Sequence, residues 1–327
     1  MRNRNWFKYN KQGYTTALFF IVIIAAALII SSRTIYKKNE GTIPDSGEIS
    51  AFDDDEPKPL EAPFYPTFDS ISRVVTMEDK LKYLYTIDKT AYVFPQQLDI
   101  QGFLQMDLSA ELKGDEPKIL IFHTHSRETF IDSREGKDED TVLGLGYLLS
   151  DILYRQYNIP VVHDVGNYDM ENGKEKREGS YERMARGIRG VLKKYPSVEI
   201  TIDLHRDGVP DNVRLVQEIN GVPTARMMFF NGITCLNDNG KPKALPELYN
   251  PYLYESLALS LQLQLTANEL YPGLMRQIYI KPYRYSLHLS KKPMLVEVGA
   301  NTNTVEEARN AMWPLAQILF SVLESRD

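Results

Sequence analysis

Lys118-Ile-Leu-Ile-Phe-His123-Thr-His125-Ser-Arg127-Glu128 is an apolar run of strand character that stops abruptly at two histidines, an arginine and a glutamate. A buried strand ending this way belongs in an open α/β sheet, where functional sites form beyond the carboxyl ends of the strands. Two further runs repeat the pattern. Val198-Glu-Ile-Thr-Ile-Asp203-Leu-His205-Arg206-Asp207 is β-branched and apolar before it becomes ionisable, and Met294-Leu-Val-Glu297-Val-Gly299 carries one glutamate inside an otherwise buried stretch. Helical spacing alternates with these runs. Val142, Leu145, Leu148, Leu149, Ile152 and Leu153 lie on one face of a helix within 138–157, Val161 and Val162 open a strand, and Ser180 caps a helix running to Lys194. This alternation predicts an α/β three-layer fold with a mainly parallel mixed sheet.

The ionisable residues at the strand ends are of metal-ligand type. In His-x-x-Glu an imidazole and a carboxylate converge from one turn on a single cation, and His125 and Glu128 have that spacing. A catalytic zinc needs a third protein ligand and one open position. Of the five histidines, His205 is the one that ends a second strand. His125, Glu128 and His205 are therefore the expected ligands of one zinc per chain, with His123, Asp203 and Asp207 as supporting groups or alternative ligands. A buried carboxylate is costly unless paired or near a metal, which makes Glu297 the expected general base. Arg127, beside the ligands, is suited to bidentate binding of a substrate carboxylate, or to an ion pair with Asp203 or Asp207. His163 and His288 read as hydrogen-bonded core histidines.

His-Thr-His-x-x-Glu after a strand, then Asp203-x-His205-Arg206-Asp207, then Val-Glu297-Val-Gly with Asn-Thr and Glu306-Glu307-Ala308 following, resembles the stage II sporulation protein P family. The three motifs stand in the family's order between His123 and Ala308. The resemblance implies a membrane-anchored zinc peptidoglycan hydrolase of endospore formers. Its expected activity is that of an N-acetylmuramyl-L-alanine amidase, with D,D-endopeptidase activity as a second possibility. It further implies work at the sporulation septum, in the intermembrane space, beside stage II sporulation proteins D and M. Related amidases take their carboxylate ligand from the next helix, which keeps Asp138 and Glu139 as alternatives to Glu128.

The rest of the chain bounds this expectation. Residues 1–13 carry Arg2, Arg4, Lys8 and Lys11, and 14–32 are almost wholly apolar, long enough for an uncleaved membrane-spanning anchor with a cytoplasmic amino terminus. Residues 33–66 are acidic and proline-rich, the composition of a tether. Residues 67–115 form a small leading subdomain, with a helix from Met77 and a strand at Ala91-Tyr-Val-Phe, and 116–327 form the catalytic domain. Asn220-Gly221 between two apolar segments predicts a hairpin at one sheet edge. A helix from Tyr252 to Leu270 and a closing helix from Val305 to Leu323, capped by Thr304, complete the fold.

A net charge of −6 argues against a nucleic-acid partner, and the single cysteine, Cys235, excludes an intramolecular disulfide. No P-loop, dinucleotide fingerprint or Gly-x-Ser-x-Gly elbow is present. Two other readings stay open. His-x-x-Glu with a distant histidine and a late glutamate also resembles zinc carboxypeptidases, and a degenerate metal site would suit a non-catalytic, membrane-tethered scaffold for wall enzymes.

Overall fold

The computed structural model describes residues 63–324. The expected cytoplasmic segment, the anchor at 14–32 and nearly all of the tether lie outside the described residues. Among the described residues no helix is long and apolar enough to cross a membrane.

A seven-stranded sheet forms the centre. Its strands are β1 (Tyr85–Ile87), β2 (Ile119–Phe122), β3 (Val161–His163), β4 (Ile200–Asp207), β5 (Met227–Gly232), β6 (Ile278–Lys281) and β7 (Lys292–Ala300), in the order β1-β6-β5-β7-β4-β2-β3. Every neighbouring pair is parallel except β5 and β7. The sheet is thus two parallel blocks of opposite direction, joined at one antiparallel seam. The helices are α1 (Met77–Tyr83), α2 (Ile100–Gln105), α3 (Val142–Tyr157), α4 (Ser180–Lys194), α5 (Leu253–Leu270), α6 (Val305–Asn310) and α7 (Met312–Leu323).

Parallel strands covered on both faces read as continuous apolar runs, and β2 is buried throughout. Its Ile119 and Ile121 enter the larger core with α3, α5 and α7, whereas Leu120 and Phe122 meet Met184 and Ile188 of α4 on the opposite face. On β4 the period of two separates chemistry from packing. Ile200, Ile202 and Leu204 fill the larger core, so the intervening Thr201, Asp203 and His205 point to the α4 face. On β7, Met294, Val296 and Val298 enter that same core, which leaves Leu295 and Glu297 facing the other way. Strand pairing aligns Glu297 with His205. The register shifts immediately beyond Glu297, where Gly299 has φ +62° and no room for a side chain against Asn303 and Ala225. A bulge of this kind re-aims the adjacent side chains, here at the strand end that carries the glutamate.

α5 is buried nearly all round, as expected of a helix enclosed by other elements. Its Gln262 Nε2 donates to the carbonyls of Phe103 and Met106. Residues 67–115 are joined to the rest in this way, and β1 supplies the edge of the central sheet. Ala91 forms only an isolated bridge with Leu236, and the strand of this region is β1, a few residues earlier.

Three other elements differ from the sequence expectation. The Asn220-Gly221 hairpin forms between Val216–Ile219 and Val222–Ala225, but as a separate two-stranded ribbon, because its strands find no partner in the main sheet. The closing helix keeps its Thr304 cap, with Glu307 completing a capping box, and then breaks at Ala311. Pro314 explains the break: its ring collides with the carbonyl four residues earlier, which belongs to Asn310, the last residue of α6. Ser180 is the first residue of α4 rather than its cap; Gly179 holds the cap position, and the Ser180 hydroxyl is used elsewhere.

Candidate functional site

The turn after β2 is fastened to β4 by one buried carboxylate. Asp203 Oδ1 accepts from the Thr124 backbone N–H at 2.9 Å, and its Oδ2 accepts from the Thr124 hydroxyl at 2.7 Å. This holds His125 and Glu128 over the end of β4. His125 lies against His205, ring centroids 5.5 Å apart, and its Nδ1 donates to Asp169 at 2.7 Å. Asp169 is itself fixed by the Ser180 hydroxyl at 2.7 Å. A carboxylate on Nδ1 fixes the tautomer and leaves the Nε2 lone pair free, the arrangement usual for a metal-binding histidine. Burial, aided by the charge on His205, lowers the pKa of His125 against the opposing pull of Asp169, so its imidazole is neutral near pH 7.

His205 stands between two carboxylates, with Nδ1 3.3 Å from Glu128 Oε2 and Nε2 2.8 Å from Asp203 Oδ1. Burial opposes ionisation of all three groups, but their mutual attraction outweighs it. His205 is raised well above its usual pKa, and Glu128 and Asp203 are held below the usual carboxylate range. Glu128 also accepts from the Arg206 backbone N–H at 3.1 Å and from Arg177 at 3.3 Å. Glu297 closes the group from β7. It is half-buried, yet its Oε2 is fully buried without a hydrogen-bond partner. Burial pushes its pKa up to about 8; the charge on His205 opposes this, and Glu128, Asp207 and Asp203 add to it.

Two imidazoles and a carboxylate form the donor set expected for zinc. Among the described residues, however, no three His, Cys, Asp or Glu side chains stand close enough to make a finished cage. Between Glu128 and Asp203 stands the His205 ring, whose attraction to both carboxylates favours its protonated form while no metal is bound.

The remaining expected residues are placed as follows. Both nitrogens of His123 are engaged, Nδ1 with the Leu204 carbonyl at 2.8 Å and Nε2 with His163 Nε2 at 2.8 Å, which removes it from the alternative ligands. Asp207 pairs with Arg276 at 2.6 Å, outside the cluster and not with Arg206 or Arg127. Arg127 is exposed and ion-paired with neither aspartate. Asp138 and Glu139 lie exposed in a 3-10 turn, Glu139 facing Arg134 at 3.4 Å. His288 is half-buried and contacts Arg189 at 3.2 Å. Asp169, Arg177 and Tyr181, whose ring packs edge-on against His125 at 5.8 Å between centroids, were not anticipated. They lie in and just after the β3–α4 loop, which carries no periodic signal.

The His123–His163 pair makes a pH prediction. Burial lowers the pKa of His123 to about 3, with His163 adding to the effect, and burial lowers that of His163 to about 4, against an ordinary 6.5. The unfolded chain therefore takes up protons below pH 6.5 that the folded chain refuses. The contribution to stability is complete above pH 6.5 and is lost as pH falls toward the folded values, at about 1.4 kcal/mol per pH unit per ring. Urea unfolding at pH 7 and pH 5 is expected to show this loss, and His163→Gln to halve the part that the pair supplies. An identical drop in both proteins would refute it.

A search of curated proteins found no match. Among solved structures, the N-acetylmuramoyl-L-alanine amidase AmiC2 of Nostoc punctiforme is similar at 13% identity and TM-score 0.36, covering 64% of this chain and 98% of that one. The apo form of the N-acetylmuramyl-L-alanine amidase Ami1 from Mycobacterium abscessus is similar at 13% identity and TM-score 0.38, covering 64% and 99%. The family model of stage II sporulation protein P matches residues 38–320, a span that takes in the sheet and all the clustered residues from His123 to Glu297. By that match over most of its length, the chain belongs to the stage II sporulation protein P family.

Proposed function

We propose that the protein is a zinc-dependent peptidoglycan hydrolase that cleaves the amide between N-acetylmuramic acid and L-alanine. In this reading it is anchored by residues 14–32 and works on septal wall during sporulation. The observation that supports it best is the placing of Glu297, with its unpartnered buried oxygen, level with His205 on the paired strand and on the same sheet face. His125 through Nε2, Glu128 through its carboxylate and His205 would hold the zinc. When bound, zinc supplies Lewis acidity, drawing the pKa of water toward 7 and polarising the scissile carbonyl.

The chain's own groups do the rest. Glu297 takes one proton from the attacking water, whose oxygen bonds to the carbonyl carbon, and returns that proton to the nitrogen as the carbon–nitrogen bond breaks. Asp169 keeps His125 in the tautomer that presents Nε2, and Asp203 holds the turn that presents His125 and Glu128. Arg127, exposed beside them, is available to a substrate carboxylate.

Digestion of a defined muropeptide by the purified protein, with products identified by mass, tests the reaction. Release of intact stem peptide with a free L-alanine amino terminus is expected. Release of single carboxy-terminal residues instead would favour the carboxypeptidase reading, and absence of both zinc and products would favour the scaffold. Asp169→Ala is expected to weaken zinc binding about 10- to 100-fold, the usual effect of losing a histidine's outer partner, as read by chelator competition. Unchanged affinity would separate Asp169 from the metal.

A further inference from the structure

Beside the clustered residues lies a groove of about 460 Å³ between α4 and the 283–288 segment. Glu182, Arg186 and Arg189 line it from one face of α4, and Arg284 lines it from the opposite wall. Glu182 is the only carboxylate in the lining, and none of the three arginines forms an ion pair among the described residues. Arg284 donates to the Tyr249 carbonyl at 3.0 Å and keeps a buried Nε without a partner. Burial and the nearby charge of Arg189 pull its pKa below the ordinary value, against Glu182. The Arg189 and Arg284 charges oppose each other at this cavity, a cost that an anionic ligand offsets.

The groove is continuous with the site through aromatic rings. Tyr181 lines it and also packs edge-on against His125, and Tyr181 and Tyr285 lie 5.3 Å apart between centroids. A chain molecule cleaved beside Glu297 can therefore run over Tyr181 into the groove. Resting on the peptidoglycan reading above, we infer that Arg186, Arg189 and Arg284 form a subsite for the free α-carboxylate of the stem peptide's γ-linked D-glutamyl residue, the residue after the L-alanine of the scissile amide. Guanidinium forks match carboxylate geometry and bind it with charge-assisted hydrogen bonds. The tyrosine faces suit the apolar parts of the same peptide.

The test measures binding separately from hydrolysis. Full-length protein in detergent is titrated with L-alanyl-γ-D-glutamyl-L-lysine, amidated at its carboxy terminus, and with the same peptide carrying an amide in place of the glutamyl α-carboxylate. The free-acid peptide is expected to bind at least about tenfold more tightly, since the amide cannot make the charge-assisted hydrogen bonds that the carboxylate accepts from guanidinium groups. R186Q/R189Q should abolish that preference, and R186K/R189K should retain part of it. Equal affinity for the two peptides, or a preference that survives R186Q/R189Q, overturns the inference. Equally tight binding of glycerol phosphate would also overturn it, by pointing to a phosphodiester polymer of the wall. Wall hydrolysis is assayed in parallel. A wild-type protein that shows the preference but cuts nothing refutes the hydrolase reading and leaves the subsite standing, whereas one that cuts wall without the preference refutes the subsite alone.

Discussion

For the zinc hydrolase proposed above, Glu297→Gln is expected to lower wall hydrolysis by roughly 10²- to 10⁴-fold, the usual contribution of a positioned general base, while leaving zinc affinity at the wild-type level. Glutamine keeps the size of the side chain and the strand pairing with His205 and removes only the ability to take a proton. A second readout comes from stability in the metal-free protein. The carboxyl pKa is raised to about 8 from 4.5, so the folded chain holds a proton that the unfolded chain releases. That contribution is complete below pH 4.5 and is lost as pH rises through about 8, at about 1.4 kcal/mol per unit. Glutamine resembles the protonated form. The metal-free variant should therefore match wild type near pH 4.5 and melt at a higher temperature near pH 8. Such a gain in stability with loss of activity is what a group placed for chemistry rather than packing produces. Wall hydrolysis at the wild-type rate would remove Glu297 from the reaction, and equal melting at both pH values would show that its burial is without cost.

The parts of the fold that could be read from the sequence were those set by local periodicity. Ile119 to Phe122 and Ile200 to Leu204 announce their strands because burial on both faces demands continuous apolar residues. Val142 to Leu153 announces α3 through its helical spacing. Thr304 and Glu307 announce a helix start because the capping box is a local pair. The expectation of one continuous closing helix from Val305 to Leu323 passes over Pro314, although a proline at that position cannot continue a helix begun at Val305. What local patterns could not supply was long-range partnership. Asn220-Gly221 specifies a turn, but whether its strands join the main sheet depends on the residues beside them in space. The antiparallel seam between β5 and β7 has no local signature either. The same division runs through the site. His125, Glu128, His205 and Glu297 stood at or near the ends of strand runs, and the structure brings all four to one region of the α4 face. Asp169 sits in a loop and meets His125 across 44 positions of sequence, and the Ser180 hydroxyl, legible only as a helix cap, is used to hold Asp169 instead.

Asp203→Ala is expected to produce the largest loss of stability of any single change at the site. The residue is fully buried, accepts two hydrogen bonds from Thr124 and faces the His205 imidazolium. Removing one partner of a buried ion pair costs about 3–5 kcal/mol, because the remaining charge loses compensation, and here His205 would keep only the more distant Glu128 carboxylate at 3.3 Å. The Thr124 N–H would also be left without an acceptor, and Thr124 is itself fully buried. For a chain of this size such a loss lowers the melting temperature by roughly 10 °C. Asp203→Asn separates the two roles. Its amide oxygen can still accept from the Thr124 backbone, so the turn holding His125 and Glu128 is largely kept, but the negative charge beside His205 is gone. The asparagine variant should therefore lose much less stability than the alanine variant while still losing wall hydrolysis. A double-mutant cycle with Thr124→Ala measures the fastening of β2 to β4 directly, and a coupling of about 0.5–3 kcal/mol is expected for residues joined in one buried network. Coupling near zero would mean that Asp203 acts through His205 alone, and that the turn presenting His125 and Glu128 is held by something other than this carboxylate.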